Sequence, residues 1–313
     1  MQKFLPTNDL LFKKMLTSED SPHILKAFVK DLLGIEFKSL RAKETYHIDS
    51  YKKSYKKTEI LRTEVDILAT SEDGSQATIE CQIQPHKYFH ERSVFYLCEA
   101  YRSPFGSIQT NEAEKKNNFS SLRPAYGINI VDFHLFDLQE KALQLFRLLN
   151  EKYQPFLNKE GKELLILGFL SLKNENVDRK TAAYHWQYFL KTGEVITDTP
   201  EYIKEAKRRT DFLTLESEEK EMIMNIEKAK AISDAVFVTA MEEAKESGMR
   251  QGEEKGREQG IKQGIRQGVE QGYEKASIEL AINCLKLGLT IEQVSKAAKL
   301  DIEGVKKLSE EHE

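Results

Sequence analysis

Apolar residues recur at helical spacing through the opening stretch, at Leu11, Met15, Ile24, Phe28 and Leu32. Pro22 suits the first position of a second helix and Gly34 ends the pattern, so two helices are predicted between about residues 9 and 33. The period then shortens. Residues 36–48, 58–70, 77–84 (ATIECQIQ) and 125–136 (AYGINIVDFHLF) read as strands, with a helix over 88–103. Helix, three strands, helix, strand is the order of an α/β core with a mixed sheet, placed here at residues 1–137. Residues 138–247 read as helical throughout, with Pro155, Gly161, Gly193 and Pro200 as punctuation. Residues 276–313 predict a small helical tail, in which Thr290 caps IEQVSKAAK and Gln293 completes a capping box.

Between these regions, residues 248–275 carry a repeat. Gly248, Gly252, Gly256, Gly260, Gly264, Gly268 and Gly272 fall at every fourth position, with Ile261, Ile265, Val269 and Tyr273 directly after the later ones. On a helix, steps of four keep both sets in slowly drifting stripes. Each Gly disfavours helix by roughly 1 kcal/mol relative to Ala, so a lone helix of this kind is marginal. The repeat therefore predicts a helix that packs closely, against a second copy or within the chain. A frayed linker is the alternative.

The alternation in RTEVDILA places Arg62, Glu64 and Asp66 on one strand face and Val65, Ile67 and Ala69 on the other. In ATIECQIQ, Glu80, Gln82 and Gln84 share a face opposite Ile79, Cys81 and Ile83. The intervening Glu72-Asp73-Gly74 fits a three-residue hairpin loop with Gly in the left-handed position. In that register Asp66 lies directly opposite Glu80, at a Cβ separation of about 4.5–5.5 Å. Two carboxylates so close repel unless a cation sits between them, and a hard divalent ion such as Mg²⁺ suits oxygen donors of this kind. A solvated hairpin face with scattered charges is the plain alternative.

Composition adds limits. The 313 residues include 47 Lys+Arg and 51 Asp+Glu, a formal net charge of -4, which excludes a basic protein that coats nucleic acid by bulk charge. The balance is uneven. Residues 38–62 hold eight basic residues against three acidic, with Tyr46, Tyr51 and Tyr55 interleaved. Lys52, Lys53, Lys56 and Lys57 thus become candidates for nucleic-acid contact. Three Cys are too few for a disulfide framework and suit a reducing, cytoplasmic setting. No apolar signal core opens the chain, and its longest apolar run, 164–170, is too short to span a membrane. Cys81, His86, His90 and Cys98 include zinc-type donors, but both cysteines sit among apolar residues and read as buried thiols.

The string EVDILA…ATIECQIQPHKYFHERSVFYLCEAY resembles the PD-(D/E)xK nuclease superfamily, and more narrowly its branch of Rpn recombination-promoting nucleases and transposase-like proteins. NDLLFKKML (8–16) is similar to that branch's opening helix. Val65-Asp66 stands at the Pro-Asp position and Glu80-Cys81-Gln82 at the (D/E)-x-K position. Arg92, Tyr96 and Tyr101 match a helical R-x-x-x-Y-x-x-x-x-Y pattern, and WQYFL (186–190) a downstream aromatic motif. The resemblance implies a restriction-endonuclease-like core with a helical C-terminal region, and a metal-dependent endonuclease acting on double-stranded DNA, in recombination or transposition-like events. Asp66 and Glu80 would bind Mg²⁺ with the Cys81 backbone carbonyl, and Asp9 is a further candidate ligand or else a helix cap. Gln82 would orient the attacking water. Arg92 would supply the positive charge that a lysine at position 82 carries and glutamine lacks, and Tyr96 joins the residues expected at nucleic acid. Two other classes stand beside this one: a nuclease-fold DNA-binding module of weak or no activity, favoured by Gln82, and a self-assembling interaction protein using the glycine repeat.

Overall fold

A computed structural model of the chain describes residues 4–57, 65–105 and 118–311, with the side chains of 54–57 and 118 left aside. Local signals set the first helices. The Asn8 side chain accepts from the Leu10 N–H and caps α1 (Asp9–Thr17). Pro22 opens α2 (Pro22–Leu33), and Gly34 closes it at φ +72°. Then follow β1 (Leu40–Ala42), α3 (Ile48–Lys57), β2 (Ile67–Ser71), β3 (Gln76–Gln82), α4 (Phe89–Arg102), β4 (Ala125–Val131), β5 (Leu143–Arg147) and β6 (Leu165–Ser171). Four helices come after the sheet and a fifth ends the chain: α5 (Ala182–Thr192), α6 (Glu201–Arg209), α7 (Ser217–Lys286), α8 (Ile291–Ala298) and α9 (Ile302–Glu310).

The six strands form one mixed sheet in the order β1-β2-β3-β4-β6-β5. β3, β4 and β6 run parallel at its centre, and the β1–β2, β2–β3 and β5–β6 pairs are antiparallel. α4 is the crossover between parallel β3 and β4. Helices cover both faces. On one, Phe12, Phe28, Leu32 and Trp186 pack against Ile67, Ile79, Ile128 and Ile166. On the other, Phe89, Leu97 and Ala100 of α4's side pack against Val131, Leu167 and Phe169. Gly168 lets α2 seat closely, since a Cβ there would lie 2.8 Å from Leu33 Cδ2.

Three sequence expectations need correction. The segment after 138 is not helical throughout: it supplies β5 and β6, so the sheet continues beyond residue 137. β6 is buried on both faces, which removes the alternation that marks a half-exposed strand. The strand expected over 36–48 shrinks to the three residues of β1. The basic stretch between the strands expected at 36–48 and 58–70 is not a plain connection but α3, with Tyr51 buried against Leu10, Leu11 and the start of α7.

The chain divides into two compact units, Met1–Lys230 and Ala231–Glu313. In the second, Ala281, Val294, Ala298 and Val305 form a small core of their own, and the Thr290–Gln293 capping box forms as predicted. The glycine repeat lies within α7. A Cβ on any of its seven glycines would meet nothing within 4 Å, and Ile261, Ile265, Val269 and Tyr273 are exposed. Within its own unit, the described residues leave the repeat undocked. Among the described residues, no helix is long and apolar enough to cross a membrane.

Within the first unit, the one tryptophan of the chain, Trp186, is wholly buried and donates from Nε1 to Asp31 Oδ2 at 2.8 Å. Tyr202 donates to the same oxygen at 2.8 Å. One carboxylate of α2 thus ties down α5 and α6. Asp31→Ala strands a buried indole N–H, at a cost of about 2 kcal/mol. Thermal unfolding should show a midpoint several degrees lower, with Asp31→Asn losing less. An unshifted midpoint would mean that the shared carboxylate does not hold these helices.

Candidate active site

The β2–β3 hairpin builds the site. Ile67 pairs with Ile79 and Leu68 with Thr78, the register expected from the loop. Gly74 takes the left-handed conformation at φ +81°, and the Ser71 N–H closes the loop on the Ser75 carbonyl at 2.9 Å. Where β2 begins and β3 runs on, Asp66 and Glu80 come together, and Asp66 Oδ2 accepts from the Cys81 N–H at 2.8 Å. In a strand, a residue's N–H and C=O point to the same side, so the Cys81 carbonyl also faces Asp66. Gln82 faces the other neighbour, its carbonyl accepting from the Asp132 N–H of the strand beside it.

Glu80 is 3% exposed. Its Oε2 accepts from Arg92 Nη2 at 3.2 Å. Its Oε1 is buried with no hydrogen-bond partner among the described residues. Arg92, near the start of α4, also donates from Nη1 to Gln82 Oε1 at 3.3 Å and from Nε to the Tyr96 hydroxyl at 3.1 Å. Its guanidinium lies 5.3 Å from the centre of the Tyr96 ring. Gln82 Nε2 donates to the Gln84 carbonyl at 2.8 Å. The amide is thus held at both ends and itself holds Arg92.

On α1, Asp9 is not the cap; Asn8 is. Asp9 Oδ2 accepts from the Tyr51 hydroxyl at 2.5 Å, and Lys13 Nζ lies 3.3 Å from Oδ1. The carboxylate is engaged, yet its charge still acts on Asp66. Lys13 is the residue that sequence reasoning missed. Its charge acts on both Asp66 and Glu80, and the signal present in the sequence was its i,i+4 spacing from Asp9.

The electrostatics follow from burial. Burial first, and then repulsion from Asp9, raise Asp66 above the usual carboxylate range, against the pull of the Cys81 N–H, Lys13 and Arg92. Burial and then the Asp66 charge push Glu80 up to about 8, against Arg92 and Lys13. The same surroundings raise the Cys81 thiol, burial again coming first.

The other expected residues lie as follows. Lys52 is paired with Glu218 of α7, 2.5 Å from Nζ to Oε2, and Lys53 is exposed. The Lys56 and Lys57 side chains, Arg62 and Glu64 fall outside the described residues. Tyr96 is only 5% exposed and backs Arg92 with its hydroxyl and ring. Cys81 packs partly buried at the core edge, whereas Cys98 is exposed rather than buried. Among the described residues, no three His, Cys, Asp or Glu side chains converge closely enough to hold a metal ion. That weighs against the zinc arrangement and leaves two carboxylates, rather than three, at the hairpin.

A carboxyl whose pKa is raised on folding keeps a proton that the unfolded chain has released, so stability falls as pH rises between the two values. In chelator, the wild-type protein should lose stability between about pH 5 and pH 8. Glu80→Gln should remove much of that slope and gain about 2 kcal/mol at pH 8. Denaturant unfolding at the two pH values measures both. A variant as pH-sensitive as wild type would show that Glu80 is not held protonated.

No curated protein and no solved structure matches the chain. Residues 6–242 match the family described as PD-(D/E)XK nuclease family transposase. That span holds the whole sheet and every residue of the site, and the chain belongs to this family of transposase-like PD-(D/E)XK nucleases.

Proposed function

We propose that the protein is a divalent-metal-dependent endonuclease that hydrolyses phosphodiester bonds of double-stranded DNA, in recombination or transposition-like events. The observation that carries this reading is the Asp66–Glu80 pair, with Glu80 Oε1 buried and without a hydrogen-bond partner among the described residues. A buried lone pair of a carboxylate is costly unless a cation completes it. Asp66, Glu80 and the Cys81 carbonyl are hard oxygen donors, the set that suits Mg²⁺, and Asp9 stays at their margin because Tyr51 and Lys13 take up its oxygens. When bound, such an ion lowers the pKa of water and stabilises charge on phosphate.

The chain's own groups do the rest. Glu80 holds a proton at its carboxyl into the neutral range and releases it when positive charge arrives. Gln82 keeps one amide oxygen at the site, able to orient the attacking water while it holds Arg92. Arg92, with its side chain 31% exposed, presents its guanidinium to the developing phosphate charge. Tyr96 is a positioning residue for Arg92. Lys53, exposed on α3, is a contact for the DNA backbone. Purified protein should nick supercoiled plasmid with Mg²⁺, and Asp66→Ala and Glu80→Ala should each lower the rate by at least about 100-fold. Equal nicking by wild type and both variants would sink the site. DNA binding without cutting by any form would favour the binding-module reading.

The second reading, self-association, draws on α7. Its glycine stripe meets nothing within 4 Å and its apolar neighbours are exposed, so the close packing that would offset the glycine cost is left to a second copy. Removing residues 248–275 should reduce the mass found by light scattering to that of one chain. An unchanged mass would rule out the repeat as the contact.

A further inference from the structure

The charge that Gln82 lacks has two sources around the carboxylate pair: Arg92 on α4, and Lys13 within the NDLLFKKML helix. The second is on α1. Phe12, the neighbour of Lys13, packs in one cluster with Ile67 and Ile79, which directly follow Asp66 and precede Glu80. α1 and α4 lie on opposite faces of the sheet, so Lys13 and Arg92 approach the pair from two different layers. Asp9 holds the Lys13 ammonium at 3.3 Å, and the Tyr51 ring, 5.6 Å from Nζ, lies beneath it. Tyr51 in turn fixes Asp9 at 2.5 Å. The Lys13 side chain is 29% exposed. Burial opposes its charge, and Asp9, Asp66 and Glu80 outweigh that.

An ordinary i,i+4 pair on a helix surface contributes little and needs no tyrosine to brace it. Here the brace fixes an ammonium, with three donors, on Asp9 and Tyr51, where the charges of both repelling carboxylates reach it. We propose that Lys13 is a catalytic residue of the site, its ammonium taking a non-bridging oxygen of the scissile phosphodiester. Arg92 and Lys13 then flank that phosphate from the two sides of the sheet. The assignment rests on the phosphodiesterase reading above, and Asp9 and Tyr51 act through Lys13 as positioning residues.

Lys13→Met, Lys13→Gln and Lys13→Arg test it with three readouts on the full chain. These are single-turnover plasmid cleavage at saturating protein with Mg²⁺, duplex binding by fluorescence anisotropy, and calorimetric titration of the metal-free protein with Mn²⁺. The neutral variants should cut about 100-fold more slowly with duplex affinity within about threefold of wild type, and the arginine variant should recover to within about tenfold. Both neutral variants should also bind Mn²⁺ about tenfold more tightly, because a positive charge has left the neighbourhood of the carboxylates. Cleavage by both neutral variants within threefold of an active wild type would overturn the role of Lys13 and leave the nuclease reading intact. If wild type itself does not cut, the nuclease reading falls and the Mn²⁺ titration decides separately: tighter binding keeps Lys13 at the carboxylates, and unchanged affinity overturns its placement.

Discussion

Everything around the site answers one constraint: a tight hairpin brings half-buried Asp66, just before β2, against buried Glu80 on β3. Two carboxylates in that position cannot both be charged without cost. The chain responds with an N–H from Cys81, a guanidinium from α4 and an ammonium from α1. Each answer depends on an element that the fold fixes independently. The hairpin depends on Gly74, α4 on its packing across β3 and β4, and α1 on the core beneath Phe12. The compensation is incomplete, since Glu80 Oε1 remains without a partner. Residual cost concentrated at one buried group is a common mark of a functional site.

The sheet that carries this pair is stiff where the site needs it to be. β3 lies between β2 and β4, so Glu80 sits on a strand bonded on both sides up to the point where β2 begins. Just past that point Asp66 replaces the ladder partner that Cys81 would otherwise have. The carboxylate is therefore part of the strand's own hydrogen bonding, and its position is set by backbone geometry rather than by side-chain freedom.

Much of this was legible in the chain. The helix boundaries at Asn8, Pro22, Gly34 and Thr290 rest on local capping chemistry, and the hairpin register follows from loop length and alternation. β6 was not legible, because a strand buried on both faces carries no polar positions to set its period. α3 was not legible because the buried Tyr51 face depends on α1 and on the distant start of α7. Tyr96 and Lys13 show the same limit at the site. Their burial and their partners come from tertiary packing, so a helical pattern alone could place them on an element but not against Arg92 or Asp66.

The position of Trp186 has a spectroscopic consequence. Indole emission from this protein arises only inside the first unit, from a ring wholly buried among Phe28, Phe189 and Tyr202. The second unit contains no tryptophan, and Tyr273 is its one tyrosine. Its melting is silent in tryptophan emission but visible in far-ultraviolet circular dichroism, because its described residues are largely helical. Circular dichroism reports the helices of both units and tryptophan emission the first alone, so a dichroism transition with no matching emission change marks the second unit in the intact chain, without a label.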